Sequence, residues 1–288
     1  MNNLKLKKEL SSANEKQIPL DIIQELISIP KIEYKVLNPG GNKTALVKGT
    51  NFTDKQKCLI NRLIMEKHSE VEQVGFLSNE TNRLEMAGGE FCINATRCAV
   101  YEYSEKNKDS IEISVSGTNK SLIGRVLNDD KVEIKLNISK NIDELIEVQN
   151  DFTIVKIDGI LIAIFDEEQS KEYIRKLRGN EEKAKKELKE FMSKSIHTTE
   201  KAIGIMLLEK ILDKIKINPV VWVKDIDTVF YETACGSGSL ATAIYNYYNC
   251  KEEILELIQP SGYSINIKLD VKGQYIKKAI ITGIVEEV

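Results

Sequence analysis

The sequence predicts an α/β protein of two matching halves, each a set of mainly antiparallel strands with one buried helix headed by a cysteine. The first observation is a repeated phrase. "GGEFCINATRCAVYEY" over 88–103 and "YETACGSGSLATAIYNYY" over 231–248 each set a cysteine before a short polar or Gly-Ser turn and an apolar helical pattern with paired tyrosines. Cys92 and Cys235 lie half a chain length apart, where two copies of one unit would put them. The second observation is the alternation of apolar and polar residues on both sides of each phrase, the period of half-buried strands.

In chain order, residues 1–30 are an N-terminal extension. It is polar at first, then carries "LDIIQELI" as an amphipathic helix between Pro19 and Pro30, a packing or homodimer-contact element. The first half spans 31–145. Strands "IEYKVL" and "KTALVK" are joined by "NPGGN", whose glycines permit positive φ. A helix covers about 54–69, strands "EQVGFLS" and "RLEMA" follow, and after the Cys92 helix come "IEISVS", "SLIGRVL" and "VEIKLNI". The second half, 146–274, opens with "FTIVKID" and "ILIAIF", is read as helical over 167–213, and reaches the Cys235 helix through "PVVWVKDIDTVFYE". The closing strands alternate again, and those over about 275–288 are expected to return to the first half.

A net charge of −3 in 288 residues, with Lys and Arg interspersed among Asp and Glu, argues against a nucleic-acid partner. Five cysteines, an odd number without a disulfide framework, point to reduced thiols in the cytoplasm. The start "MNNLKLKKELSS" has no apolar signal core, and the longest apolar run, "ILIAIF", is too short to span a bilayer, so no membrane partner is expected.

Several chemistries fit poorly. With no CxxC pair and only His68 and His197 as imidazoles, no metal is expected. Ser237 lacks the leading glycine of a nucleophile elbow. "GSGSLA" over 236–241 satisfies a dinucleotide fingerprint, but the strands after it read as antiparallel and the fingerprint leaves the Cys92 phrase unexplained. Cys58, Cys98 and Cys250 are read as small buried hydrophobes. Cys92 and Cys235 differ in heading helices, where free N–H groups and the macrodipole favour a thiolate. Two such helix ends converging would hold a carboxylate on the N–H groups of Ile93, Asn94, Gly236 and Ser237. Thiols flanking the bound acid are what a two-base racemase needs: one removes the α-proton, the other delivers a proton to the opposite face, and no pyridoxal phosphate (PLP) or other cofactor is called for.

"CINATRC" over 92–98 and "ETACGSG" over 232–238 together resemble the double-cysteine pattern of the diaminopimelate epimerase family of PLP-independent amino-acid racemases, and the resemblance runs from residue 32 to the end. It implies the diaminopimelate epimerase-like fold, two pseudo-symmetric halves with a curled sheet wrapped around each central helix. It also implies Cys92 and Cys235 as the acid/base pair, Asn42 and Gln73 as site-lining residues, and a small-molecule amino acid as substrate. The chain departs from the epimerases where they carry a Glu-Arg pair that grips a distal carboxylate; here stand Asp227 and Thr228. "MAGGEFC" over 86–92 is similar instead to the histidine racemases of opine-type metallophore pathways. Acidic residues near the site, Asp227 and Glu232 with Glu85 or Glu90, suit an α-ammonium and an imidazolium, and Ile93 narrows the pocket beside the thiol. Interconversion of L- and D-histidine is the expected reaction, with diaminopimelate or another amino acid as the alternative substrate, and a non-catalytic amino-acid binder as the alternative of another class.

Overall fold

The computed structural model describes residues 32–78, 80–104, 110–127 and 130–288, so the extension expected over 1–30, and any dimer contact it makes, lies outside the described residues. One order of elements occurs twice. In the first half β1 (Tyr34–Asn38) and β2 (Thr44–Lys48) form a hairpin, α1 (Asp54–Lys67) crosses over, β3 (Gln73–Ser78) runs parallel to β2, and β4 (Arg83–Met86) is antiparallel to β3. Helix α2 (Ile93–Ser104) leads to β5 (Ile111–Val115), parallel to β4, then β6 (Leu122–Val126) and β7 (Lys131–Asn141) follow antiparallel. A one-turn helix α3 (Ile142–Leu145) and β8 (Ile146–Val148) precede the second round. There β9 (Thr153–Ile157) and β10 (Ile160–Phe165) form the hairpin, and α4 (Glu167–Gly179) with α5 (Glu181–Ser195) makes the crossover. Strand β11 (Ala202–Ile211) is parallel to β10, and β12 (Lys214–Val223) is antiparallel to β11. After β13 (Thr228–Tyr231), helix α6 (Gly236–Cys250) leads to β14 (Ile254–Ile258), parallel to β12, and to antiparallel β15 (Ser264–Lys272) and β16 (Tyr275–Ile284). The last strand is β17 (Glu286–Glu287).

Helices α2 and α6 are buried on most of their faces, which suits a helix enclosed by a sheet rather than lying on one. Helix α2 packs against β2 to β7, and α6 against β9 to β12 and β14 to β16. Close packing needs small partners: a Cβ on Gly124 would fall 2.3 Å from a Val100 methyl, so β6 can touch α2 only with glycine there. The crossover helices lie outside on cores of their own, Ile60 and Ile64 of α1 against Phe76, and Leu188 and Met192 of α5 against Phe165. Capping boxes Thr53–Gln56 and Asp166–Gln169 start α1 and α4 by satisfying N–H groups that the helix cannot.

The expected helix over 167–213 is corrected: helix ends at Ser195, and Ala202–Ile211 is a strand. "AIGIMLLEKI" is buried on both faces, parallel to β10 and antiparallel to β12, and a doubly buried strand loses the alternation that separates it from a helix. All five cysteines are free, but only Cys98 of the three read as buried hydrophobes is fully buried; Cys58 is half-buried and Cys250 exposed at the end of α6. No helix among the described residues is long and apolar enough to cross a membrane.

Strand β16 pairs with β7 from Tyr275↔Asn141 to Ile284↔Lys131, and β17 pairs with β1. The chain's last strands therefore close the sheet around α2. A chain ending at residue 272 would leave the edges of β7 and β15 bare and remove buried Ile276, Ala279, Ile281 and Val285. It is expected to lose cooperative thermal unfolding by circular dichroism; a sharp transition near that of the full chain would contradict this.

Candidate active site

Helices α2 and α6 meet N-terminus to N-terminus. A Cβ on Gly236 would fall 2.5 Å from Ile93 Cγ2 and 2.9 Å from Asn94 Oδ1, so the first residue of one helix touches the first turn of the other. Cys235 caps α6, its Sγ accepting from Gly238 N–H at 3.3 Å, and Cys92 Sγ accepts from Ala95 N–H at 3.4 Å in the matching position of α2. The N–H groups of Ile93, Asn94, Gly236 and Ser237 are thereby brought together at the positive ends of two macrodipoles.

Side chains from both halves hold this junction. Asn42 Nδ2 and Asn94 Nδ2 both donate to the carbonyl of Ala234, at 3.0 and 2.9 Å. Asn94 Oδ1 accepts from the fully buried Arg97, whose guanidinium also donates to the carbonyls of Pro39 and Ile284. Gln259 Oε1 accepts from Cys235 N–H at 2.9 Å. The thiols have different partners. Cys92 donates to Gln73 Oε1 at 2.9 Å, and Gln73 is fixed by its amide bond to Thr44. Cys235 is hydrogen-bonded to the Glu232 carboxyl.

Between the helix ends opens a pocket of about 650 Å³, counting its mouth. Both cysteines line it, with Asn42, Gln73, Ile93, Asn94, Glu232, Gly236 and Ser237; Glu72 and Glu90 add carboxyls, and Val223, Ile226 and Phe230 an apolar wall. No Lys or Arg is among the lining residues that belong to the described part of the chain. Four residues that line the pocket carry a buried atom without a hydrogen-bond partner: Asn42 Oδ1, Glu90 Oε2, Thr228 Oγ1 and Glu232 Oε2. Groups left in that condition cost stability unless a ligand satisfies them.

Burial dominates the electrostatics. It pushes Glu90 up to about 7, against the lowering effect of two backbone N–H groups, and Glu232 up to about 8, against the Cys235 and Asn42 hydrogen bonds. Glu72 is also raised by burial, opposed by its bonds to Thr233. Both cysteines are raised well above the ordinary thiol range, first by burial and then by facing carboxylates, Glu232 for each and Glu90 for Cys92. The expectation that the helix ends favour a thiolate is corrected in direction: the dipole acts, but burial raises both thiols above their ordinary range.

Asp227 is a second correction. It sits in a turn at φ 49°, is 68% exposed, and spends its carboxylate on Lys189 at 2.6 Å and Trp222 Nε1 at 3.0 Å. Its neighbour Thr228, where β13 begins, lines the pocket instead. Glu85 points away, paired with Lys57 and Arg83. Asn61 and Met65 of α1 and Gln259 were not foreseen, because nothing local in a crossover helix or a closing strand marks which face meets the other half. Among the described residues no group of His, Cys, Asp and Glu is set to hold a metal ion.

Two like halves, each wrapping a helix, with the helix ends meeting over a polar pocket, define the diaminopimelate epimerase-like class of fold. Among solved structures the chain superposes on a hydroxyproline epimerase from Agrobacterium vitis with bound trans-4-hydroxy-L-proline, at TM-score 0.54 and 10% identity over 89% of this chain and 90% of that one. It also superposes on a phenazine biosynthesis PhzC/PhzF protein from Clostridium difficile, at TM-score 0.53 and 15% identity over 90% and 97%. These likenesses concern the fold alone. Residues 31–288 match the family model described as the histidine racemase CntK N-terminal domain, and the chain belongs to that family. It is 29% identical over 245 residues to a histidine racemase of Fusobacterium nucleatum, covering 81% of this chain and 87% of the relative. It is 22% identical over 266 residues to a histidine racemase of Staphylococcus aureus, covering 84% and 94%.

The raised carboxyls have a consequence for stability. A carboxyl whose folded pKa lies above its unfolded value contributes stability in full below the unfolded value, near 4.5 here, and loses it as pH rises through the folded one, about 7 for Glu90. Glu90→Gln removes that loss, worth about 3 kcal/mol at 1.36 kcal/mol per unit. Thermal melts of ligand-free protein from about pH 5 to about pH 8 should therefore fall less steeply for the variant. Parallel curves would show that Glu90 stays ionised throughout.

Proposed function

We propose that this protein is a cofactor-independent racemase that interconverts L- and D-histidine through Cys92 and Cys235. The observation that carries the reading is the junction of two cysteine-capped helix ends in one pocket. The α-carboxylate lies on the N–H groups of Ile93, Asn94, Gly236 and Ser237, which stabilise the charge that grows on it as the α-carbon loses its proton. The α-ammonium is taken by Glu232 and by Asn42 Oδ1, two of the acceptors left without partners. That cation, held beside the thiols, offsets part of the desolvation cost of a thiolate.

Glu232 takes up the proton that Cys235 gives to become the thiolate. The thiolate accepts the α-proton and the opposite thiol donates its own to the other face, so the product leaves with the roles of the sulfurs exchanged. Enclosure between halves 31–145 and 146–274 keeps water from the carbanion and strengthens each charge interaction. The sulfurs are chemically unequal, because Gln73 can only accept the hydrogen of Cys92 whereas Glu232 can exchange a proton with Cys235.

Histidine is favoured over diaminopimelate by the lining. A distal carboxylate would enter a pocket with three carboxyls and no cation among its described lining residues, at a cost of a few kcal/mol, about a hundredfold or more in kcat/KM. The related histidine racemases of Fusobacterium nucleatum and Staphylococcus aureus point to the same substrate.

The test is a chiral assay of L-histidine and LL-diaminopimelate without added PLP or metal, on wild type, Cys92→Ser, Cys235→Ser and, as control, Cys58→Ser. Wild type should prefer histidine about a hundredfold or more. Each site variant should lose about 10²–10⁴-fold in racemisation, and the control should stay near wild type. Full activity in either site variant ends the two-thiol mechanism, and a preference for diaminopimelate ends the histidine assignment.

A further inference from the structure

The pocket is lined by two chemically different groups of residues. The cysteines, the helix N-termini, Asn42 and Glu232 surround the place for an α-carbon. A further carboxyl, that of Glu90, is set against an apolar wall. Glu90 is 8% exposed, and its carboxyl accepts backbone N–H groups of Gly88 and Glu90. Glu90 lines the pocket, and its Oε2 has no partner. A Cβ on Gly88 would fall 2.7 Å from that oxygen, 2.5 Å from Val223 Cγ1 and 3.5 Å from Ile226 Cγ1. The carboxyl, Val223 and Ile226 thus share one corner, with no side chain between them. The unpartnered Thr228 Oγ1 comes two residues after Ile226, on the same stretch of chain.

This corner is built for a flat group with an apolar face and an N–H at its edge. The valine and isoleucine would pack on the face. An orphaned carboxyl oxygen in a dry place needs a donor, and a second carboxylate could not supply one. The α-ammonium does not need this corner, since Glu232 and Asn42 already serve it.

We propose that Glu90, with Thr228 beside the same wall, is the specificity-determining subsite that accepts an N–H from the substrate's side-chain ring. The inference rests on the histidine racemase reading, in which the donor is the imidazole N–H. It goes further by naming the residue that separates histidine from ring amino acids of equal size.

The probe is thiazolylalanine, an isostere of histidine whose ring has no N–H. Racemisation of L-histidine and L-thiazolylalanine is followed for wild type, Glu90→Gln and Glu90→Ala, with thermal melts to confirm folding. Wild type should prefer histidine about 10²-fold or more, because the isostere leaves the carboxyl unpaired. Glu90→Ala should cut that preference to less than about tenfold, mainly through a higher KM for histidine. Glu90→Gln, which keeps a carbonyl acceptor, should fall between the two.

A preference unchanged in Glu90→Ala, or equal losses on both substrates, would overturn the proposal while leaving the racemase intact. The same holds if wild type uses both substrates equally. A wild type inactive on both amino acids would instead refute the underlying reading, and this subsite with it.

Discussion

The junction of two helix N-termini at Gly236 is the contact on which the site depends. Like ends of two macrodipoles repel, and bringing them together has to be supported from outside. The support is a set of buried bonds: Asn94 and Asn42 cross between the halves to the Ala234 carbonyl, while Arg97 holds Asn94 on one side and Gln259 holds Cys235 N–H on the other. Thr233, two residues before Cys235, is tied to the Glu72 carboxylate and to the backbone of Asn42 and Ser261. Glycine at 236 lets the approach occur at all, since any side chain would enter Ile93. What results is concentrated positive potential with no anion of its own.

That potential is offset by carboxyls on the rim, and burial sets the balance. Glu72, Glu90 and Glu232 surround the pocket, and each is pushed toward its neutral form by loss of water. The thiols respond in the same direction. Burial thus favours the neutral form of each of these groups. A zwitterion supplies an anion for the helix ends and a cation for the carboxyls, and so it stabilises the ionised forms that proton transfer needs. Substrate binding and thiol activation become one event on this account.

The sequence makes much of this legible because the constraint is local. A cysteine before a short polar turn and an apolar helix reads as a helix cap, and the occurrence of two such phrases half a chain apart points to the two-fold plan. Ile93, Asn94, Gly236 and Ser237, next to the two cysteines in sequence, line the pocket with both thiols, as do Asn42 and Gln73, which the family resemblance implied, and Glu232. What depends on tertiary surroundings was not legible. Asp227 and Thr228 are neighbours, and only the turn before β13 decides that the acid faces Lys189 and the hydroxyl faces the pocket. The strand Ala202–Ile211 reads as helix because burial on both faces removes its period. The thiol states were misjudged because a sequence displays a helix dipole but not the dryness that outweighs it.

Placement of two proton-transfer groups on opposite faces of one α-carbon is the central claim, and the origin of the hydrogen in the product tests it most directly. L-histidine is converted in D2O and sampled at a few per cent conversion, and the α-hydrogen of each enantiomer is read by mass spectrometry after chiral separation. Two thiols predict D-histidine carrying solvent deuterium from its first appearance, with the remaining L-histidine still protiated. D-histidine that keeps the original protium would mean that a single group moves the proton between faces, and the two-thiol account would be contradicted.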